Sequence, residues 1–344
     1  MASIMDGHSS DGKEASPAET CWSPEIQINW MEVQDSMKRR LITEDDFTWK
    51  LPNNEEKTDQ LVSGVVLLKY VGGVDISFSK DDPSVACGAL VVVDLHTLEV
   101  VYDDYSVSRL NIPYIPGFLA FREAPILLEL LEKMKNCAHP FYPQLLLICY
   151  TQSLTSHQSE TEPQVSCECY QLLMVDGNGL LHPRGFGLAC HLGVLVNLPT
   201  IGIGKNLHHV DGLTQSRVRQ LLETKGNSPE DTVTLRGDSG CIWGTAERST
   251  SGSSKPIFIS IGHRVSLATA VKIVKMTCKY RVPEAIRQEK GEMSSRQLLK
   301  SGHWFADLFI KAFGELKYSL FVKSLEHVRY MLQLKEYQVI YVLV

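Results

Sequence analysis

The 344-residue chain has no uncharged apolar run near the roughly 20 residues that a membrane-spanning helix needs, so no membrane association is expected. Its nine cysteines include no Cys-x-x-Cys pair, and Cys167 and Cys169 stand too close together for a zinc knuckle. An odd cysteine count without an apolar leader segment predicts reduced thiols and an intracellular protein. The nucleotide-loop pattern G-x-x-x-x-G-K-[S/T] is absent, so the Gly-Ile-Gly-Lys run ending at Lys205 is not that of a nucleoside triphosphatase. Positive charge is also short: 34 Lys and Arg against 40 Asp and Glu, a net of −6. Taken whole, that balance argues against a nucleic-acid partner.

The distribution reverses this inference. Residues 1–60 carry 13 acidic and 6 basic side chains, whereas residues 61–344 carry 27 and 28. Within 201–290 the count is 14 basic to 8 acidic, a local excess of six that is available to phosphates. The apolar fraction of 44% is ample for a core, and the length fits one large domain or two small ones.

Residues 1–23 are small and polar and read as disordered. A helical pattern over 24–50 repeats Trp30, Val33, Met37 and Leu41 at spacings of three and four. Three strand-like segments follow at 70–79, 86–95 and 98–107, and their short links require antiparallel pairing. Next come a helix over about 122–136, an apolar strand ending at Asp176, a buried helix in FGLACHLGVLVNL, and the strands TIGIG and IFISIGH. A helix over 266–279 starts at Ser266 and ends before Pro283. This order predicts a mixed α/β sheet, three antiparallel strands followed by parallel ones, flanked by helices.

Two stretches fit that domain poorly. Gln144-Leu145-Leu146-Leu147 is echoed by Gln171-Leu172-Leu173-Met174, and excising 145–171 would join the chain directly into the strand before Asp176. The segment reads as an insertion whose LLLICY run competes for one sheet position, or else as a long surface loop. Residues 291–344 place Trp304, Phe305, Leu308, Phe309, Ala312, Phe313 and Leu316 on one helical face and close on apolar YQVIYVLV.

Asp75 interrupts an apolar strand, and Asp176 ends another before Gly177-Asn178-Gly179. Singly, each is an ordinary strand-end carboxylate; on neighbouring strands they can share a hard cation such as Mg²⁺. Glu123 is either a third ligand or a first-turn helix acid. Lys205 follows a strand and can place positive charge on a phosphate. Pro113, Tyr114, Ile115, Pro116 and Gly117 make either a stiff wedge that separates stacked bases or a rigid surface loop. Gly177, Gly179, Gly185 and Gly187 permit close approach of a planar ligand, while His182 and Arg184 are phosphate contacts or merely an exposed polar loop.

Together, VDISF, PYIPGFLAFRE, MVDGNGLLHPRGFGLACHLG and TIGIGKN, in that order, resemble the endonuclease V family, in particular its vertebrate branch, over 70–285. The resemblance implies an RNase H-like fold and a Mg²⁺-dependent, Mn²⁺-tolerant endonuclease. Such an enzyme acts on single-stranded inosine-containing RNA and on deoxyinosine DNA, with RNA favoured in animal members. It cuts the second phosphodiester 3′ to the lesion and leaves 3′-hydroxyl and 5′-phosphate ends. By the same resemblance, Asp75 and Asp176 are metal ligands, Glu123 and Lys205 are catalytic, Pro113–Gly117 is the wedge, and Leu119 with the glycines after Asp176 forms the base pocket. A monomer in the cytoplasm and the nucleus, including the nucleolus, is expected.

Two features depart from the family pattern. Where similar enzymes carry an acid or histidine after the last helix, this chain has Lys290, with Glu289 one residue early. The insertion lies just upstream of Asp176, where a one-residue slip would reverse the face that this carboxylate occupies. The domain is therefore read as 24–290 followed by a divergent tail, and the runner-up function is an inosine-binding protein with impaired catalysis. A junction-resolving nuclease of the same fold is a weaker third reading, disfavoured by the wedge.

Overall fold

Alternation of apolar side chains builds the sheet. In the computed structural model, which describes residues 24–52, 66–79, 82–112, 114–142, 171–224, 232–249 and 255–287, β1 (Tyr70–Phe78) pairs antiparallel with β2 (Val85–Asp94), and β2 with β3 (Val100–Arg109). After helix α2 (Leu119–Asn136), strand β4 (Leu173–Asp176) lies parallel to β1. Helix α3 (Leu188–Val196) then leads to β5 (Thr200–Gly204), which is parallel to β4. Helix α4 (Gln215–Thr224) and the antiparallel pair β6 (Thr232–Arg236) and β7 (Ile242–Glu247) precede β8 (Ile257–His263). The eight strands form one sheet in the order β3-β2-β1-β4-β5-β8-β7-β6.

One face of this sheet collects Val71, Val91, Val93, Met174, Ile201, Ile203 and Ile259 under α5 (Leu267–Thr277) and α6 (Glu284–Arg287). The other collects Tyr70, Val74, Leu90, Val92, Leu173 and Val175 under α2 and α3. Neighbouring residues therefore feed opposite cores, as the two-residue period of a strand requires. The fit is close at Gly73, where a β-carbon would collide with the Ala285 carbonyl of α6. Helix α5 begins where the sequence places it: the Ser266 Oγ accepts from the Thr269 N–H at 3.2 Å. Helix α3 ends on Asn197, whose left-handed φ of 54° turns the chain toward β5.

Several boundaries differ from expectation. The pattern over 24–50 yields a helix only over Pro24–Lys38 (α1), and Leu41 lies beyond it. Helix α2 starts at Leu119, earlier than expected, and carries Pro125 inside it. The third strand begins at Val100 because Leu98 turns with φ 57°. Helix α4 and the β6–β7 pair escaped the sequence reading altogether. Their core residues Val218, Leu222, Val233, Leu235 and Ala246 are few and sit among polar neighbours, so the periodicity is thin. The readings on 1–23, 145–170, Pro113, Glu289, Lys290 and 291–344 lie outside the described residues. Among the described residues, no helix is long and apolar enough to cross a membrane.

Candidate active site

Strand parity and register bring the carboxylates together. Val74 pairs with Val175 across β1 and β4, so the next pair in that register is Asp75 beside Asp176. Asp75 follows Val71 and Gly73 on one face, and Asp176 follows Met174 on the same face. Lys205 continues the Ile201–Ile203 face of β5, the adjacent parallel strand. It reaches back to form an ion pair with Asp176, whose side chain is only 11% exposed. The Asp75 Oδ1 accepts from its neighbour's amide, Ile76 N–H, at 2.8 Å.

Glu123 approaches from the opposite layer. It lies in the second turn of α2 and is 8% exposed. Burial, followed by the negative charge of Asp75, pushes its carboxyl up to about 8, and Arg122 offsets only part of this. Repulsion between carboxyl groups such as Glu123 and Asp75 is what a hard cation relieves. Oxygen donors from Asp75, Asp176 and Glu123 are of the kind that Mg²⁺ or Mn²⁺ takes. Among the described residues no three such side chains close into a ready-made cage. By their chemistry alone, these oxygen donors fit a divalent cation.

Gln34, on α1, was not singled out in the sequence, yet it ties the remaining site segments together. It is 1% exposed, and its Nε2 donates to the carbonyls of Phe186 (3.0 Å) and Gly117 (3.3 Å). Its Oε1 accepts from the Arg184 Nε, and the Arg184 guanidinium also lies over the Phe118 ring. One amide thus joins the Tyr114–Gly117 loop to the loop after Asp176. Only spacing within α1 (four residues after Trp30, three before Met37) hinted that Gln34 faces inward.

Tyr114 is 61% exposed at the tip of its loop, while Ile115 packs toward Trp30, Phe118 and Phe121. Gly117 takes φ 85°, which suits glycine, and Leu119 opens α2 immediately after the loop. Beyond Asp176, Gly177 bridges to Ile203, and Gly179 lies so close to the Ile261 carbonyl that no β-carbon fits. Gly187 closes the loop by donating to the Gly179 carbonyl at 2.9 Å. His182 is buried, and desolvation lowers it to about 4, so it is neutral near pH 7; its Nδ1 accepts from the Arg184 amide. Asn178 presents a buried Oδ1 that has no hydrogen-bond partner.

A mixed sheet that sets Asp75, within β1, beside Asp176, at the end of β4, makes this an RNase H-like α/β protein with a pair of neighbouring carboxylates. The chain matches the Endonuclease V family model over residues 50–152 and 154–290. It is 39% identical to Endonuclease V of Homo sapiens over 275 residues, 79% of this chain and 82% of that protein. The crystal structure of the catalytic domain of human Endonuclease V superposes with a TM-score of 0.65 at 36% identity, covering 81% of this chain and 97% of that one. Endonuclease V of Ciona intestinalis, solved in complex with a 24mer DNA containing an inosine followed by a ribo-adenosine, gives a TM-score of 0.60 at 28% identity, covering 80% and 98%. The chain belongs to the endonuclease V family, and it is a nuclease by descent.

Two outcomes follow from this geometry. In metal-free protein the folded Glu123 keeps its proton up to about pH 8, whereas the unfolded chain releases it near 4.5. Between those values the unfolded state binds fewer protons, so this group subtracts stability as pH rises, by a few kcal/mol at most. Urea melts of Glu123→Gln should therefore show a gain over the parent above about pH 8 and little difference below about pH 4.5. Replacing Gln34 by Ala leaves the buried Phe186 carbonyl, the part-buried Gly117 carbonyl and the Arg184 Nε without this partner, a loss of about 1–3 kcal/mol. Hydrogen exchange should then quicken in 114–118 and 182–187 while α5 stays protected.

Proposed function

We propose that the chain is a metal-dependent endonuclease that recognises inosine in single-stranded RNA, and deoxyinosine in DNA. It hydrolyses the second phosphodiester 3′ to the base and leaves 3′-hydroxyl and 5′-phosphate ends. The observation that carries this reading is the β1–β4 register, which places Asp75 and Asp176 at neighbouring positions just past Val74 and Val175, with Glu123 and Lys205 on either side. The inosine-bearing DNA bound by the Ciona relative supports the choice of base.

Asp75, Asp176 and Glu123 would hold Mg²⁺, for which Mn²⁺ can substitute. When bound, such an ion would supply Lewis-acid polarisation of a phosphoryl oxygen and a lowered pKa for water. Lys205 exchanges its carboxylate partner for the scissile phosphate and stabilises the negative charge that develops on it. Tyr114, on its stiffened loop, fills the stack that the displaced base leaves, as an apolar wedge does. Backbone groups around Gly177, Gly179 and Gly187 line the place where a flipped base is received. His182 and Arg184 act through the loop they brace. The enzyme acts as a monomer where inosine-bearing RNA occurs, in cytoplasm and nucleus.

Lys290, where similar enzymes carry an acid or histidine, favours a second reading: a protein that binds inosine RNA without cutting it. Matched single-stranded RNA and DNA, each with one inosine and with guanosine controls, separate the two. The proposal expects Mg²⁺-dependent cleavage at the second 3′ bond, faster on RNA, and none with Asp75→Ala. Folded protein that gives no product at any Mg²⁺ or Mn²⁺ concentration overturns it. Selective inosine binding without product, with cleavage appearing in Lys290→Asp, establishes the second reading.

A further inference from the structure

Strand β3 closes one end of the sheet, and among the described residues its only partner strand is β2. The Leu110 N–H donates to the Ser84 carbonyl at 2.6 Å and continues the β2–β3 ladder. The even-numbered residues of β3 therefore turn their backbone groups toward β2, and those of Asp103, Tyr105, Val107 and Arg109 point off the edge. The Tyr105 N–H agrees with this, since it donates to the side chain of its own neighbour, Asp104 Oδ1, at 2.9 Å. The same four residues carry exposed side chains, Tyr105 at 40% and Val107 at 43%. A ten-residue edge with apolar side chains beside outward backbone groups is a template for another strand.

The edge is complementary to itself. Two antiparallel β3 strands centred on Ser106 set Asp103 of each copy opposite Arg109 of the other, and Tyr105 opposite Val107. These are also the residues whose backbone groups face outward, so each pair exchanges two N–H···O bonds. Opposite charges and an aromatic beside a branched side chain are favourable when directly across. Centring on Tyr105 places Val107 across from Asp103, and centring on Val107 places Asn111 there, so one register is singled out. Arg109 uses only Nη1 on Asp82 and Ser84, which leaves Nη2 to reach across. We propose that β3 is a self-association edge, through which two copies of the chain join their sheets in this register about a two-fold axis at Ser106. One cross-strand row runs from Tyr105 through Ala89 to Asp75, and an axis normal to the sheet keeps both carboxylate pairs on one face. At about 4.8 Å per strand, the two β1 strands stand roughly 24 Å apart. Each copy keeps its whole site, so the association adds to cleavage by the single chain and is not needed for it.

An interface one strand wide is small, so a weak, reversible dimer is expected. Sedimentation equilibrium of the full chain over a concentration series reads it, without substrate or metal and so apart from the nuclease reading. Circular dichroism confirms the fold of each variant. Asp103→Arg sets like charges across the axis twice and should weaken the dimer about tenfold or more, as should Arg109→Asp. Mixing these two variants restores opposite charges at both positions, and mixed dimers should form where neither variant pairs alone. Val107→Pro removes an outward N–H, leaves the ladder to β2 whole, and should abolish the dimer while urea melts match the parent. Amide exchange at Tyr105 should slow as the parent's concentration rises and stay constant in Val107→Pro. A parent that is monomeric at every concentration overturns the proposal, and so does a dimer that Val107→Pro leaves intact. Folded charge variants whose mixture forms no dimer overturn the register and the proposal with it.

Discussion

The parallel register between β1 and β4 is the constraint on which the rest of the site depends. Only three residue pairs define it, Gly72 with Leu173 through Val74 with Val175, yet it sets Asp75 and Asp176 side by side on one face. A slip of one residue in β4 would turn Asp176 toward the α2 layer and Val175 toward Asp75. The register is held from both sides. Leu173, Met174 and Val175 alternate between two fully developed cores, and β5 pairs with every residue of β4. Apolar burial on both faces is therefore what places the two carboxylates together, Asp75 within β1 and Asp176 at the end of β4. Leu173–Asp176 lies between β1 and β5.

Around that pair, charge is graded along the sheet edge. Glu123 enters from the α2 layer and is driven toward its neutral form by burial and by Asp75. Lys205 meets Asp176 from the other side. The net charge of −6 describes none of this, because the acidic excess is confined to residues 1–60. The position of charge, rather than its sum, determines whether the chain can approach a polyanion.

The carboxylates were legible in the sequence because each breaks a rule: a charged residue in an apolar strand, or one at its end before glycine. The helix that starts at Ser266 was legible because its cap and apolar spacing agree. Gln34 was not legible. Its role comes from residues 83 and 152 positions away, and no local pattern encodes such a contact. His182 and Arg184 illustrate the same limit. A polar loop in sequence becomes a braced segment once Gln34 and the buried imidazole are in place. The α4–β7 region was missed because its buried residues are sparse.

The most direct test of the account asks whether Asp75 and Asp176 form one site. Calorimetric titration of Mn²⁺ into the parent, Asp75→Asn, Asp176→Asn and the double variant reads this without reference to cleavage. The account predicts that either single change removes most of the affinity and that the double change adds little, since the two residues share one ion. Additive losses, or parent-like binding in either single variant, would contradict it.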